Sequence, residues 1–251
     1  MEFMKTNGIV LSETQINEGD KMLTVYTDKF GIINAKAPGA KSLKRKDMAG
    51  INMFALGEYI LTKNKQIYII RECNIVTHFF DIKKDITTLS VGCYILEALK
   101  AVGTPEQPDN ELLRLALNCL YALSNHLKDP YLIKAAFEVK ICVVMGVMPD
   151  TKYCMFCGEE IKDGEYVCYD FENHILSCKE CMDINTQNVK KIFFSTYRCI
   201  SYIAESELNT FLNFSLNEAY LKELSEISEK LFLSQIDYTP KTLTYLKSIK
   251  K

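Results

Sequence analysis

Four cysteines in two closely spaced pairs are the residues of this sequence best suited to chemistry. They follow the pattern Cys154-x2-Cys157 and Cys178-x2-Cys181, with twenty residues between the pairs. Each pair sets two thiolates about one turn apart, and four thiolates close a tetrahedral zinc site with bonds of about 2.3 Å. Gly158 can adopt the positive φ that a metal-binding knuckle needs. The pattern predicts one structural zinc ion, because four protein ligands leave no position for water.

Other interpretations of the paired cysteines stay open. The pairs are also compatible with two disulfides, an iron–sulfur cluster or a metal-free redox-active pair. The start of the chain lacks the charged, apolar and small-residue segments of a secretion signal, so we expect a cytosolic protein, in which thiols stay reduced. Cys168 and His174 lie between the pairs and are alternative ligands, although neither has a partner at the same spacing.

A basic segment at residues 36–46 is the second candidate site. It contains five cations and no acid in a chain whose formal net charge is −2: Lys36, Lys41, Lys44, Arg45 and Lys46. Such a cluster can neutralise phosphates, with an affinity that falls as salt rises. The alternative is a solvated, mobile lysine loop without a ligand. The segment predicts a DNA-binding surface that contacts the phosphate backbone.

The elements around the basic segment are predicted to be strands. Five runs rich in β-branched and aromatic residues are separated by turn signals: Gly8–Glu13, Met22–Thr27, Gly31–Lys36, Phe54–Thr62 and Ile67–Thr77. Five short strands at this spacing favour an OB-fold barrel over residues 1–80, with an SH3-like barrel as the alternative. Aromatic residues in or beside these runs are candidates for base stacking or for the core: Tyr26, Phe30, Phe54, Tyr59 and Tyr68.

The rest of the chain is predicted to be helical, apart from the cysteine segment. Apolar residues at helical spacing indicate five further elements: Leu89–Val102, Glu111–Leu127, a helix from Pro130 to about Val144 with Asp129 as its cap, Val189–Glu205 and a helix ending near Phe232 with Ser215 and Glu218 as its capping box. The helix from Pro130 is apolar nearly all round, so we expect it at the centre of a bundle. A last short helix is predicted from Pro240 through Ile249. We therefore predict an α+β multidomain fold: an OB-fold barrel, then a helical domain (81–149 and 183–251) with an inserted four-cysteine zinc module at 150–182.

With its parts in this order, the chain resembles the RecO family of bacterial recombination mediators. The resemblance is most specific from Phe137 through Pro149, then Asp150, the Cys154–Gly158 knuckle and the second pair at Cys178 and Cys181. It is looser elsewhere, at Ala35–Lys41, Tyr94–Glu97 and Lys241–Leu246.

Membership of this family implies a protein that works on DNA. The resemblance implies binding of single- and double-stranded DNA, annealing of complementary strands and a cytoplasmic, nucleoid-associated location. It also implies partnership with RecR and with the acidic tail of the single-stranded-DNA-binding protein, so that RecA can load. We place the contact for that tail on the helical domain.

Two functions of other classes compete with that hypothesis. A zinc-stabilised protein-interaction scaffold that does not touch DNA is the first. A zinc-containing nucleic-acid enzyme is the second, but the sequence contains no phosphate-binding loop, dinucleotide fingerprint or nucleophile elbow. We therefore predict a binding protein without catalytic turnover.

Overall fold

Five strands near the start of the chain form a closed barrel. The computed structural model describes residues 2–40, 48–65 and 67–249. The strands are β1 (Met4–Gln15), β2 (Lys21–Thr27), β3 (Gly31–Ala37), β4 (Ala55–Asn64) and β5 (Ile67–His78). They close in the order β1-β2-β3-β5-β4, with all neighbours antiparallel except β3 and β5. This closed five-stranded architecture confirms the predicted OB-like barrel.

The barrel interior is filled by alternate residues of each strand. Inward positions carry aliphatic and aromatic side chains, for example Val10, Leu23, Ile33 and Ile70. Four of the five candidate stacking aromatics are buried: Tyr26, Phe54, Tyr59 and Tyr68. The fifth, Phe30, is half-buried against the same core and lies 5.8 Å from Tyr68, centroid to centroid. These aromatic rings therefore build the core, as their apolar surroundings favour.

Two helices follow the barrel and begin at aspartate caps. They are α1 (Ile86–Val102) and α2 (Asn110–Ser124). The Asp85 carboxylate accepts the amide of Thr88, and the Asp109 carboxylate accepts the amides of Glu111 and Leu112. Each cap satisfies donors that a helix start leaves without an intrahelical partner. Asp109 also ties α2 to the barrel, since its carbonyl accepts the hydroxyl of Tyr26.

Glu97 of α1 caps another helix, the C-terminal α6 (Lys241–Ile249). Its carboxylate accepts the backbone amides of Lys241 and Thr242 at 3.1 and 3.0 Å and the Thr242 hydroxyl at 2.5 Å. Leu243 and Leu246 bury the inner face of α6. Negative charge at a helix start is stabilised both by the free amides and by the helix dipole.

Replacing Glu97 with alanine is expected to loosen α6. The first turn then loses an acceptor for two amides, at a cost of about 1–2 kcal/mol. Hydrogen exchange at residues 241–249 should accelerate, with exchange in β1–β5 unchanged. Glu97→Gln keeps an acceptor oxygen, so hydrogen exchange of α6 in this variant should be faster than in the parent and slower than in Glu97→Ala. Equal protection of α6 in all three proteins would contradict this role of Glu97.

The chain divides into two compact units. The first comprises Met1–Asn125 and Pro240–Lys251, and the second comprises His126–Thr239. The second unit contains α3 (Pro130–Val144), a sheet of β6 (Tyr166–Asp170), β7 (Ile175–Ser177) and β8 (Val189–Phe193), and helices α4 (Phe194–Glu205) and α5 (Glu218–Leu233). Within the described residues, no helix is both long and apolar enough to cross a membrane. The predicted domain boundaries at residues 80, 149 and 182 stay predictions.

Helix α3 is the centre of the second unit. Every residue from Leu132 to Cys142 is buried, which confirms the prediction drawn from its nearly all-round apolar surface. Lys134 and Glu138 are nonetheless among the buried residues. The Lys134 ammonium contacts Glu138 at 2.7 Å and Glu229 of α5 at 3.1 Å, and the other Glu138 oxygen accepts the Ser228 hydroxyl at 2.8 Å.

Two local predictions are wrong. Residues 189–193 form strand β8 rather than the start of a helix, because they pair with β6 from Tyr166↔Phe193 to Asp170↔Val189. Buried residues Val189 and Ile192 are three apart, a spacing that also suits a helix. Helix α5 begins at Glu218 behind an Asn217 cap, not behind the predicted Ser215, because the Asn217 side chain accepts the amide of Tyr220.

Candidate functional site

The four paired cysteines meet in one cluster. The sulfurs of Cys154, Cys157, Cys178 and Cys181 all lie within 4.8 Å of one another, and those of Cys157 and Cys178 are 3.9 Å apart. A tetrahedral ion with 2.3 Å bonds separates its sulfurs by about 3.8 Å. All ten cysteines, each within the described part of the chain, are free thiols. The donor set and its spacing therefore suit a metal ion bound by four thiolates, and not a pair of disulfides.

A three-stranded sheet brings the two cysteine pairs together. Strands β6 and β7 form a hairpin between the pairs, and Cys178 follows β7 directly. The first knuckle closes when the Gly158 amide donates to the Cys154 carbonyl at 2.9 Å, with Gly158 at a φ of 73°. That left-handed conformation is available to glycine at little cost. The Cys181 amide donates to the Cys178 carbonyl at 3.2 Å in the second knuckle.

Backbone amides favour the thiolate form of Cys154. Burial opposes ionisation, but the amides of Cys157, Cys178 and Phe156 point at its sulfur and hold the pKa of this thiol at about 6. The thiol of Cys181 has its pKa raised, first by its contact with the Cys178 sulfur and then by Cys157. Negative charge on one sulfur thus opposes charge on the next. A divalent cation at the centre would offset that opposition.

The two alternative ligands lie outside the cluster. The Cys168 sulfur is buried and lies 3.8 Å from the Met182 carbonyl, and it is not one of the four grouped sulfurs. His174 is half-buried in the β6–β7 turn, with its Nδ1 atom 2.9 Å from the Tyr169 hydroxyl. Burial lowers the pKa of His174, so the ring is neutral near pH 7. Its role is to close the hairpin.

The basic segment begins at an ion pair. Lys36 lies on β3, and its ammonium contacts the Asp20 carboxylate at 2.9 Å. The other oxygen of Asp20 accepts the Gly39 amide at 2.9 Å, so Asp20 fixes the chain where it leaves β3. The remaining predicted cations, Lys41, Lys44, Arg45 and Lys46, lie outside the described residues.

Acidification does not release this anchor until low pH. The contact with Lys36, followed by those with Gly39 and Asn17, lowers the pKa of Asp20 from 3.8 to about 2. A group with a depressed folded-state pKa loses its contribution only as pH falls from about 3.8 through about 2. The Asp20 anchor is therefore intact throughout the physiological range.

Sequence reasoning missed a groove on the same side of the barrel as Lys36. Asn64, Lys65, Ile67 and Ile69 line it together with Lys36. The sequence signal for it is the break between the predicted strands Phe54–Thr62 and Ile67–Thr77, which places Lys65 between two strands.

Protein-family models match both parts of the chain. The model described as Recombination protein O N terminal matches residues 1–79, and the model described as Recombination protein O C terminal matches residues 83–244. The chain belongs to the RecO family. The two RecO models meet at residues 79–83, between the end of β5 at His78 and the start of α1 at Ile86.

Curated RecO proteins are similar to this chain along nearly its whole length. The DNA repair protein RecO of Acetivibrio thermocellus is 28% identical over 249 residues, covering 99% of this chain and 98% of the relative. That of Clostridium novyi is 25% identical, covering 100% and 96%. That of Caldicellulosiruptor bescii is 29% identical over 228 residues, covering 91% of each.

Proposed function

We propose that this chain is a DNA-binding recombination mediator in DNA repair that acts without catalytic turnover. The observation that supports the proposal most is a closed OB-like barrel, in a RecO-family chain, with a cluster of cations directly after its third strand. Barrels of this kind bind single strands along one face, using cations for the backbone. The chain binds single- and double-stranded DNA, anneals strands and, with RecR, helps to load RecA onto DNA covered by the single-stranded-DNA-binding protein.

The four-cysteine cluster holds one structural zinc ion in this proposal. Cys154, Cys157, Cys178 and Cys181 supply the ligands, and the ion fixes the two knuckles to the β6–β7 hairpin. Zinc favours four thiolates in a tetrahedron and has no redox chemistry of its own. The ion therefore supports the fold of the second unit and takes no part in contacts with DNA phosphates.

Lys36, Lys41, Lys44, Arg45 and Lys46 are the proposed phosphate-contacting residues. Phosphate contacts position a strand without reading its bases, so we expect little sequence preference. Each contact with single-stranded DNA adds about 0.7 to the slope of log affinity against log salt. Replacing Lys41, Lys44, Arg45 and Lys46 with alanine is expected to weaken DNA binding and to flatten that slope by up to about 2.8.

A second quadruple variant controls for net charge. Lys100, Lys162, Lys179 and Lys222 are exposed and lie outside the barrel strands, so their replacement by alanine removes the same charge elsewhere. This variant should keep the parental slope, and zinc content and thermal stability should stay unchanged in both proteins. If the loop variant binds single-stranded DNA like the parent at several salt concentrations, the five cations are not the DNA site.

A protein-interaction scaffold is the second candidate function. The first knuckle exposes apolar side chains, with Met155 67% and Phe156 58% exposed, and such surfaces often mark protein contacts. RecR and the tail of the single-stranded-DNA-binding protein are the proposed partners, and the contact for the tail is proposed on the helical domain. The DNA titration separates the two candidates, because a scaffold that does not touch DNA shows no salt-dependent DNA binding.

A further inference from the structure

We propose that the groove between β3 and β5 receives the bases of single-stranded DNA on an aliphatic floor. This inference rests on the proposed DNA-binding function and specifies which form of DNA the barrel prefers. The floor consists of Ile67 and Ile69, and the rim carries the ammonium groups of Lys36 and Lys65. The groove thereby adds base contacts to a surface whose other cations contact only phosphates.

The groove exists because β3 and β5 pair only briefly. Their parallel pairing is limited to Ala35↔Tyr68 and Lys36↔Ile69, whereas β4 and β5 pair along ten positions. The barrel is therefore least tightly closed at this seam. A groove of about 690 Å³ opens there, lined by Lys36, Asn64, Lys65, Ile67 and Ile69. That volume lies within the range of ligand-sized clefts.

Strand alternation makes the floor aliphatic. Tyr68 and Ile70 are buried in the barrel, so their neighbours Ile67 and Ile69 point outward. Ile67 is 43% exposed, which is high for a large apolar residue in a strand. Four of the five candidate stacking aromatics are buried and Phe30 is half-buried against the core, so on this face the isoleucines supply the apolar surface that a base can cover.

The rim of the groove is cationic. Among the described residues that line it, two are lysines, one is an asparagine and none is acidic. Lys65 stands at the tip of the β4–β5 hairpin with a φ of 55° and forms no ion pair with any described residue. Lys36 is paired with Asp20 at the surface, and its side chain is 39% exposed. The Lys36 ammonium has three donors, so it can contact a phosphate while it keeps its ion pair with Asp20.

This arrangement discriminates between single and double strands. In a duplex the bases are stacked inside, and the backbone presents its phosphates to a surface of this shape. A duplex therefore gains only the contacts with the lysines of the rim. Unstacked bases of a single strand also reach the isoleucines. Removing apolar floor surface should then weaken single-strand binding alone, whereas removing a rim cation should weaken binding of both forms.

The test compares matched variants of the full chain by fluorescence titration with a poly-dT oligonucleotide and with a duplex of equal length. Ile67→Thr with Ile69→Thr keeps β-branched residues in the strand, and we expect single-strand affinity to fall about fivefold, less than the loss of an aromatic platform. Duplex affinity and both salt slopes should stay unchanged. Ile75→Thr with Val76→Thr is the control, since these residues are exposed on the same strand but outside the groove lining.

A variant that binds more tightly than the parent cannot owe its effect to misfolding. Ile67→Tyr places an aromatic ring on the floor and should tighten single-strand binding severalfold, again without changing the duplex, because bases stack well on aromatic rings. Lys65→Ala should weaken binding of both DNA forms and flatten both slopes.

Three results overturn the inference. If the parent binds single strands but the threonine pair leaves affinity unchanged, or Ile67→Tyr fails to raise it, the groove does not take bases and the proposed function stands. If the parent binds neither DNA form, the proposed function fails as well.

Discussion

Replacing Cys154 and Cys181 together with serine is expected to abolish metal binding and to unfold the segment from residue 150 to residue 182. Each knuckle then keeps one thiolate, which is too few for a tetrahedral site. Metal binding contributes about 10–16 kcal/mol to the folding of comparable small zinc modules. Elemental analysis should fall from one zinc per chain to none, and amide hydrogen exchange should accelerate in β6 and β7. Exchange in β1–β5 should not change.

Cys168→Ala is the matched control for the metal prediction. This cysteine lies on β6 next to the cluster, but its sulfur is not one of the four grouped sulfurs. The alanine variant should therefore keep one zinc per chain. Parent protein without metal, or a double-serine variant with unchanged metal content, would contradict the assignment. If the analysis found iron and the protein absorbed visible light, the site would be assigned to an iron–sulfur cluster instead of zinc.

Lys134→Met is expected to destabilise the second unit by about 3–5 kcal/mol. Lys134 and Glu138 have side chains only 4% and 0% exposed, so the change leaves a carboxylate in the interior without this cation. Burial lowers the pKa of Lys134, but the charges of Glu138 and Glu229 raise it above its ordinary value overall. A raised pKa means that this stabilisation is complete at neutral pH and is lost only in strong base. Urea unfolding, followed by hydrogen exchange in α3 and α5, measures the loss.

Two further variants test whether burial causes that loss. Lys230→Met removes a cation that contacts Glu226 at the same four-residue spacing, but on an exposed surface of α5, where the cost should stay below about 1 kcal/mol. Combining Lys134→Met with Glu138→Leu and Ser228→Ala replaces the polar groups by apolar ones. This triple variant should recover most of the stability. A single Lys134 variant no less stable than the Lys230 variant would refute the explanation.

The barrel was the part of the fold most accessible from sequence. All five predicted strands are present and lie within a few residues of their observed bounds, because alternation of apolar and polar residues reports directly which side chains face the interior. Helix α3 could be predicted equally well, since Asp129 and Pro130 mark its start as cap and first residue. Local chemistry determines each of these elements.

Contacts between segments that are distant in the chain could not be predicted from the sequence. Strand β8 pairs with β6, from which it is separated by the β6–β7 hairpin and the second cysteine pair, and that pairing overrides the helical spacing of Val189 and Ile192. The capping of α6 joins Glu97 to Lys241 and Thr242, which follow it by 144 and 145 positions in the sequence. Lys134 and Glu138 have the spacing of an ordinary exposed helical ion pair, and only the position of α3 in the unit makes them interior.

The two candidate sites differ in the same way. The grouping of Cys154, Cys157, Cys178 and Cys181 was predicted, because the spacing of cysteines within each knuckle and the hairpin between the pairs are local features. The barrel groove was not predicted, because it arises where β3 and β5 diverge, and Ile67 in isolation resembles any core residue of a strand. The point at which two paired strands separate leaves no recognisable pattern in the sequence of either strand.

The return of the chain to its first unit at Pro240 bears on how the molecule can be cut. The unit that carries the four paired cysteines is entered at His126 and left at Thr239, and α6 belongs to the barrel unit. A truncated chain that stops before Pro240 therefore retains every element of the four-cysteine unit and removes α6 from the barrel unit, although most of the barrel unit precedes residue 126. Conversely, excision of residues 126–239 is the cut that leaves α6 with its own partners.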